Sequence, residues 1–240
     1  IATSADGARS VFVADTDNDG DMDILSASEE DDTIAWYEND GASNPSWTAS
    51  DIATSADNAT SVFAADMDND GDMDILSASF ADDTIAWYEN DGNANPSWTA
   101  SDIVTDADGA SAVFVADMDN DGDMDILSAS QNDHTIAWYE SDGAGDPSWT
   151  ASDIATSADN AYSVFAADMD NDGDMDVVSA SIEDDTIAWY ENTATFSFDP
   201  IWSASDIATS ASGAMSVFAA DMDGDGDIDI LSASKLDDTI

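Results

Sequence analysis

Apolar and polar residues alternate with a period of two in short runs, and the runs return in a fixed order. Thr33–Glu38 reads TIAWYE, which puts Ile34 and Trp36 on one side of an extended chain and Ala35 and Tyr37 on the other. Ser10–Ala14 (SVFVA), Asp23–Ser28 (DILSAS) and Ser46–Thr54 (SWTASDIAT) are also strands by length and by their β-branched and aromatic content, the last with an expected break near Ser50–Asp51. Asn-Asp-Gly, Pro-Ser and Asp-Gly fill the joints. Both faces of the strands carry apolar groups, as in sheets covered on both sides. No stretch shows a 3.6-residue stripe.

The four-strand order is an internal repeat. Its copies run Gly7–Asp57, Asn58–Asp108, Gly109–Asp159, Asn160–Ser212 and Gly213–Ile240, and residues 1–6 match the tail of a preceding copy. The fourth copy carries two extra residues in Thr193–Ile201, and the fifth stops just after its DDTI, leaving about 4.7 repeats in 240 residues. Four strands in about 50 residues is the signature of a propeller blade. The expected fold class is therefore all-β. It is a β-propeller of four-stranded antiparallel blades, with bulky groups packed between blades and the Ala- and Ser-rich strands innermost. The chain begins and ends in mid-pattern, so residues 1–240 read as one partial propeller from a longer parent, with seven blades the first expectation and five or six the alternatives.

One nine-residue phrase sits between the first and second strands of every copy. It reads DTDNDGDMD at Asp15–Asp23, DMDNDGDMD at Asp66–Asp74, Asp117–Asp125 and Asp168–Asp176, and DMDGDGDID at Asp221–Asp229. Acid stands at positions one, three, five, seven and nine, and glycine at six. A hard cation such as calcium takes six to eight oxygen ligands in a flexible cage. Four side chains are expected to supply them in each copy: Asp15, Asp17, Asp19 and Asp23; Asp66, Asp68, Asp70 and Asp74; Asp117, Asp119, Asp121 and Asp125; Asp168, Asp170, Asp172 and Asp176; Asp221, Asp223, Asp225 and Asp229. The seventh residue, Asp21, Asp72, Asp123, Asp174 or Asp227, adds its backbone carbonyl. Gly20 and its equivalents permit the sharp turn with a positive φ. Without a cation, four or five carboxylates this close repel and raise one another's pKa. About five calcium ions, one per repeat, are expected. Magnesium demands octahedral geometry, and transition metals favour histidine or cysteine. An EF-hand needs a glutamate at position twelve, which here is Ser26, Ser77, Ser128, Ser179 or Ser232.

Strand–DxDxDGxxD–strand followed by an IAWYEN strand resembles the FG-GAP/VCBS repeat family, which includes the calcium-binding blades of integrin α-chains. The resemblance covers essentially the whole chain. It implies one calcium per blade, held by the loop between the first two strands. The F-G…G-A-P signature itself is absent, which places the chain nearer the VCBS-like branch, and no integrin-like ligand site carries over.

Composition narrows the partners. There are 55 acidic residues against two basic ones, a formal net charge of −53. Five divalent ions would bring it only to −43. Nucleic acid and anionic membrane surfaces are poor partners, since both need lysine and arginine. Direct membrane insertion is not expected, because no apolar run approaches the roughly 20 residues that cross a bilayer. The dispersed acid suits a salty or calcium-rich setting, where screening removes self-repulsion. With no cysteine, disulfides and thiolate chemistry are ruled out.

The Trp-Tyr pairs (Trp36/Tyr37, Trp87/Tyr88, Trp138/Tyr139, Trp189/Tyr190) read as packing between blades. The second tryptophans (Trp47, Trp98, Trp149, Trp202) lie nearer an edge; they too read first as packing, but are the better sugar-stacking candidates. His134, in a slot that holds Asp32, Asp83, Asp185 and Asp238 elsewhere, reads as surface. Glu38, Glu89, Glu140 and Glu191 recur once per copy and imply a recurring structural job. The expectation is a non-enzymatic, calcium-stabilised extracellular module with an adhesion, surface or filament role. Its partners are then other repeats or domains of the parent chain, surface proteins or glycans. A carbohydrate-binding lectin propeller is the alternative, and a polysaccharide-degrading enzyme domain is a more distant one.

Overall fold

A computed structural model describes residues 1–194 and 200–236, and every regular element among them is a β-strand. The first sheet holds β1 (Ala8–Ala14), β2 (Asp23–Ser28), β3 (Thr33–Asn39) and β4 (Trp47–Ala53), hydrogen-bonded in chain order. The second holds β5 (Ala59–Ala65), β6 (Asp74–Ser79), β7 (Thr84–Asn90) and β8 (Trp98–Val104). The third holds β9 (Ala110–Ala116), β10 (Asp125–Ser130), β11 (Thr135–Ser141) and β12 (Trp149–Ala155). The fourth holds β13 (Ala161–Ala167), β14 (Asp176–Ser181), β15 (Thr186–Asn192) and β16 (Trp202–Ala208). A two-stranded sheet follows, with β17 (Ala214–Ala220) and β18 (Asp229–Ser234). Part of the Thr193–Ile201 insertion and the closing DDTI, Asp238 with it, lie outside the described residues.

Strand ends differ slightly from the sequence reading. β1 starts at Ala8, because an irregularity between Ala8 and Ser10 lets pairing with β2 continue. The expected break in β4 is a bulge one residue later. Ala35 pairs with Asp51 and Ile34 with Ala53, so Ile52 is the extra residue.

The chain forms two compact units, residues 1–113 and 114–240. In the first, the apolar faces of neighbouring sheets make one core: Leu25, Ile34 and Trp36 with Val62, Ile75 and Tyr88, and Phe12, Ile52 and Trp98 packed against them. Phe12 and Phe63 stack with centroids 4.4 Å apart. Ser10 Oγ accepts the Val62 N–H at 3.4 Å, tying one first strand to the next. In the second unit Val178, Ile187 and Val217 form a core of the same kind, and Phe165 meets both Phe114 (4.6 Å) and Phe218 (5.0 Å). Alternation thus produces sheets with two apolar faces, and stacking similar sheets buries both. Trp36, Trp87 and Trp138 and the four Tyr partners are buried, as the packing reading of the pairs requires.

Leu76 is fully buried between Phe63 on β5 and Trp87 on β7. Leu76→Ala should cost about 2–5 kcal/mol, measured by denaturant unfolding of the full chain in calcium buffer. A loss below 0.5 kcal/mol would contradict this packing.

Candidate metal centre

The β1–β2 hairpin closes where Ala14 pairs with Asp23, so Asp15–Met22 forms the loop at its tip. Ala65 with Asp74, Ala167 with Asp176 and Ala220 with Asp229 frame equivalent loops. In each loop the first, third and fifth carboxylates converge. Asp15, Asp17 and Asp19 place one oxygen each within 4.8 Å of one another, as do Asp66, Asp68 and Asp70; Asp117, Asp119 and Asp121; Asp168, Asp170 and Asp172; and Asp221, Asp223 and Asp225.

The loop's own amides shape this convergence. The Asp19 N–H is shared between Asp15 Oδ1 (3.1 Å) and Asp17 Oδ1 (3.3 Å). The Gly20 N–H reaches Asp15 Oδ2 (3.0 Å), and the Asp21 N–H reaches Asp19 Oδ1 (2.9 Å). Gly20 has φ 95°, and nothing lies within 4 Å of where a Cβ would sit. Glycine is needed there for backbone conformation rather than for space.

The ninth aspartate is placed differently. Asp23, Asp74, Asp125 and Asp176 are buried. In the second copy Oδ2 accepts the Met67 N–H at 3.1 Å and Oδ1 the Asn90 N–H at 2.8 Å. Asp23 takes Thr16 and Asn39 likewise, Asp125 takes Met118 and Ser141, and Asp176 takes Met169 and Asn192. Asp23 Oδ2 accepts the Thr16 hydroxyl as well, at 2.5 Å, whereas Oδ1 of the ninth carboxylate keeps a second lone pair. The seventh side chain turns aside: the Asp21, Asp72 and Asp123 carboxylates lie against Gly41, Gly92 and Gly143, where a Cβ would collide with them.

Charge and burial strain these groups. Burial, then the charges of Asp23 and Asp19, push Asp17 from 3.8 up to about 6, and Glu38 adds to this. Asp119 rises to about 6, from burial and then Asp121, and Asp68 rises for the same reasons. Burial lifts Asp74 and Asp125 to about 7 and Asp176 to about 6, against hydrogen bonds that lower them. An all-oxygen, electron-rich set held at elevated proton affinity fits a hard divalent cation, which would displace the protons.

Three neighbours of the site were not assigned a site role from sequence. Glu38, Glu89 and Glu140 act on the third aspartate by charge. The indoles of Trp87, Trp138 and Trp189 stand beside the ninth aspartate and lower its pKa, although their Nε1–H closes no hydrogen bond of ordinary geometry. Asn39, Asn90, Ser141 and Asn192 hold the ninth carboxylate by their main chain. Their signal was a constant offset of 16 residues from that aspartate. His134 is half-exposed, as expected, and its Nδ1 accepts the Asn160 N–H at 3.0 Å. Trp47, Trp98, Trp149 and Trp202 are half-buried at the start of the outer strands.

These features define an all-β repeat protein with one acidic, cation-type loop per sheet. The FG-GAP-like repeat family matches residues 15–77, 68–128, 117–179 and 170–232, and the chain belongs to that family. No curated protein sequence matches it. Among solved structures it is similar to an Agrocybe aegerita lectin that recognises non-reducing terminal N-acetylglucosamine (TM-score 0.63, 18% identity, 93% of this chain and 60% of that one). It is also similar to a Bacillus licheniformis rhamnogalacturonan lyase (0.53, 11%, 94% and 55%) and to the V. cholerae biofilm matrix protein Bap1 (0.51, 18%, 96% and 36%). At these identities the likeness is one of fold, and the chain spans 60% or less of each.

A carboxyl whose folded pKa is raised contributes stability that is full below its unfolded value of 3.8 and lost as pH rises through 6 to 7. Asp91, held down to about 2 by Ser97, loses its contribution only below about pH 4. In chelator, therefore, the melting temperature should rise as pH is lowered from about 7.5 to 5. A fall over that interval would refute the assignment. Gly71→Ala, at φ 97° in open space, should cost about 1–3 kcal/mol of strain in calcium buffer, read by thermal melting.

Proposed function

We propose that the repeats are blades of a β-propeller clipped by calcium, and that the protein is a non-enzymatic extracellular module with a structural, adhesion or surface role. The observation that carries this is the same three-carboxylate convergence at five hairpin tips. The first, third and fifth aspartates would hold the ion, with the seventh carbonyl and the ninth carboxylate completing the set. Bound there, calcium supplies two positive charges that cancel the local repulsion. The chain's own residues do the rest. The ninth aspartate bridges the loop to the end of the third strand, so ordering the loop also ties three strands of a sheet together.

Extracellular modules bind calcium at roughly 10⁻⁴–10⁻³ M, which suits a setting where calcium is millimolar. No described helix is long and apolar enough to cross a membrane. The recurrence argues for structure over catalysis: a catalytic centre needs one asymmetric constellation, whereas this chemistry repeats copy by copy.

A lectin is the second reading, and a recurring cavity favours it. Cavities of about 340 and 350 Å³ lie between the tail of one repeat and the sheet that follows. Tyr88, Ser79, Thr84, Asp82 and Asp102 line one, and Tyr37, Ser28, Thr33, Asp31 and Asp51 the other. The Oδ1 atoms of Asp31 and Asp82 are buried without a partner, ready to accept from a hydroxyl.

EDTA should lower the melting temperature by more than 10 °C. Millimolar calcium should restore it, and equimolar magnesium should restore it less. An identical melt with and without chelator would end the calcium reading. Retention on an N-acetylglucosamine column, lost in Asp82→Ala, would favour the lectin instead.

A further inference from the structure

Within each compact unit, acidic loops touch one another through the fourth residue. Asn18 Nδ2 of the first loop donates to Asp72 Oδ1 of the second at 2.6 Å. Asn120 of the third loop donates to Asp174 Oδ1 (3.1 Å) and to the Gly173 carbonyl (3.3 Å) of the fourth. Asn171 of the fourth reaches Gly226 O (3.3 Å) and Asp227 Oδ1 (3.4 Å) of the fifth. The seventh side chain receives in all three ties, joined by the sixth carbonyl in the last two, and the seventh residue's own carbonyl faces cation duty under the calcium reading. A second tie runs the other way: Asn90, whose N–H holds Asp74 of the second loop, donates its side chain to the Thr16 carbonyl of the first at 2.9 Å.

Asparagine is not the easiest residue for the fourth position. Asn18, Asn120 and Asn171 sit at φ 57° to 62°, a region glycine adopts more freely, and Gly224 takes the slot in the fifth loop at φ 80°. What asparagine has and glycine lacks is the amide donor. It also stands between the third and fifth aspartates, so an ion that gathers those two carboxylates fixes the asparagine between them. Fixing it fixes the seventh residue of the next loop.

We propose that Asn18, Asn120 and Asn171 are positioning residues that couple neighbouring loops, so that ions bind cooperatively rather than one by one. This rests on the calcium reading. The coupling is reciprocal, because filling the receiving loop holds the donor asparagine by the same hydrogen bond.

The test is calcium titration of the full chain by calorimetry, after chelator treatment, for the parent and for the triple variant Asn18→Gly, Asn120→Gly, Asn171→Gly. Glycine preserves the net charge and the backbone conformation. The parent should titrate with a Hill coefficient above 1. The variant should bind the same number of ions with a coefficient below the parent's and a midpoint raised about fivefold or more. Relative to the parent, its melting temperature should fall less in EDTA than in calcium, which separates coupling from a general loss of stability. A second variant, Asp170→Asn in the fourth loop, should lose one ion and weaken binding at the third and fifth loops, to which the fourth is tied. Independent binding in the parent, or unchanged affinity of the third and fifth loops in Asp170→Asn, would overturn the coupling. Absence of any bound ion would overturn the calcium reading instead.

Discussion

Like charges drawn together at five hairpin tips are the constraint on which this molecule depends. Two carboxylates 4 Å apart repel by roughly 1 kcal/mol in water and several-fold more near a protein surface. Each loop holds three of them with oxygens within 4.8 Å. Peptide amides do part of the work of a counter-ion, since the N–H groups of positions five, six and seven all point at carboxylates. They order the loop without neutralising it. Burial first, and then that uncompensated charge, raise the proton affinity of Asp17 and Asp119.

The loops therefore cannot be separated energetically from the sheets. Asp74 is buried and accepts one N–H from the loop, at Met67, and one from the end of β7, at Asn90. Loss of order in the loop would strip partners from a buried carboxylate, which is costly. Phe12 on Phe63, and Ser10 on the Val62 amide, carry the link from one sheet to its neighbour. In a repeat protein of this kind stability is close to a sum of unit and nearest-neighbour terms. Here the unit term contains a cation-type loop, and the neighbour term contains contacts between loops.

Much of this was legible in the sequence. The strands followed from alternation in segments such as TIAWYE, and the turn glycine from the spacing of the acidic phrase. The convergence of Asp15, Asp17 and Asp19 followed because a tight turn brings alternate residues to one side. The unread features share a cause: they depend on residues distant in the chain. The slip at Ile52 is set by how β4 meets β3. The tie from Asn18 to Asp72 spans 54 residues, and nothing within one repeat announces it. Trp87 was legible as a packing residue because its size and period say so. Its position beside Asp74 needed the register of β6 against β7.

That same distinction changes the meaning of the acidic composition. High net charge suggests solubility in salt, yet many aspartates outside the loops are hydrogen-bond acceptors for the backbone. Asp40, Asp91 and Asp142 each take the N–H and hydroxyl of a serine six residues on, closing the turn between the third and fourth strands. Asp32, Asp83 and Asp185 sit at φ 55° to 58°, which aspartate tolerates better than most side chains, and accept the first N–H of the next repeat at 2.8–2.9 Å. His134 discriminates between charge and acceptor as the quantity that matters there. It keeps the positive φ, at 60°, and offers Nδ1 to the same amide at 3.0 Å. A ring nitrogen does the work of a carboxylate oxygen, so the slot demands a short acceptor rather than an anion. A substantial part of the −53 is then a consequence of building turns and cages from one residue type, with aspartate chosen for its reach to nearby amides.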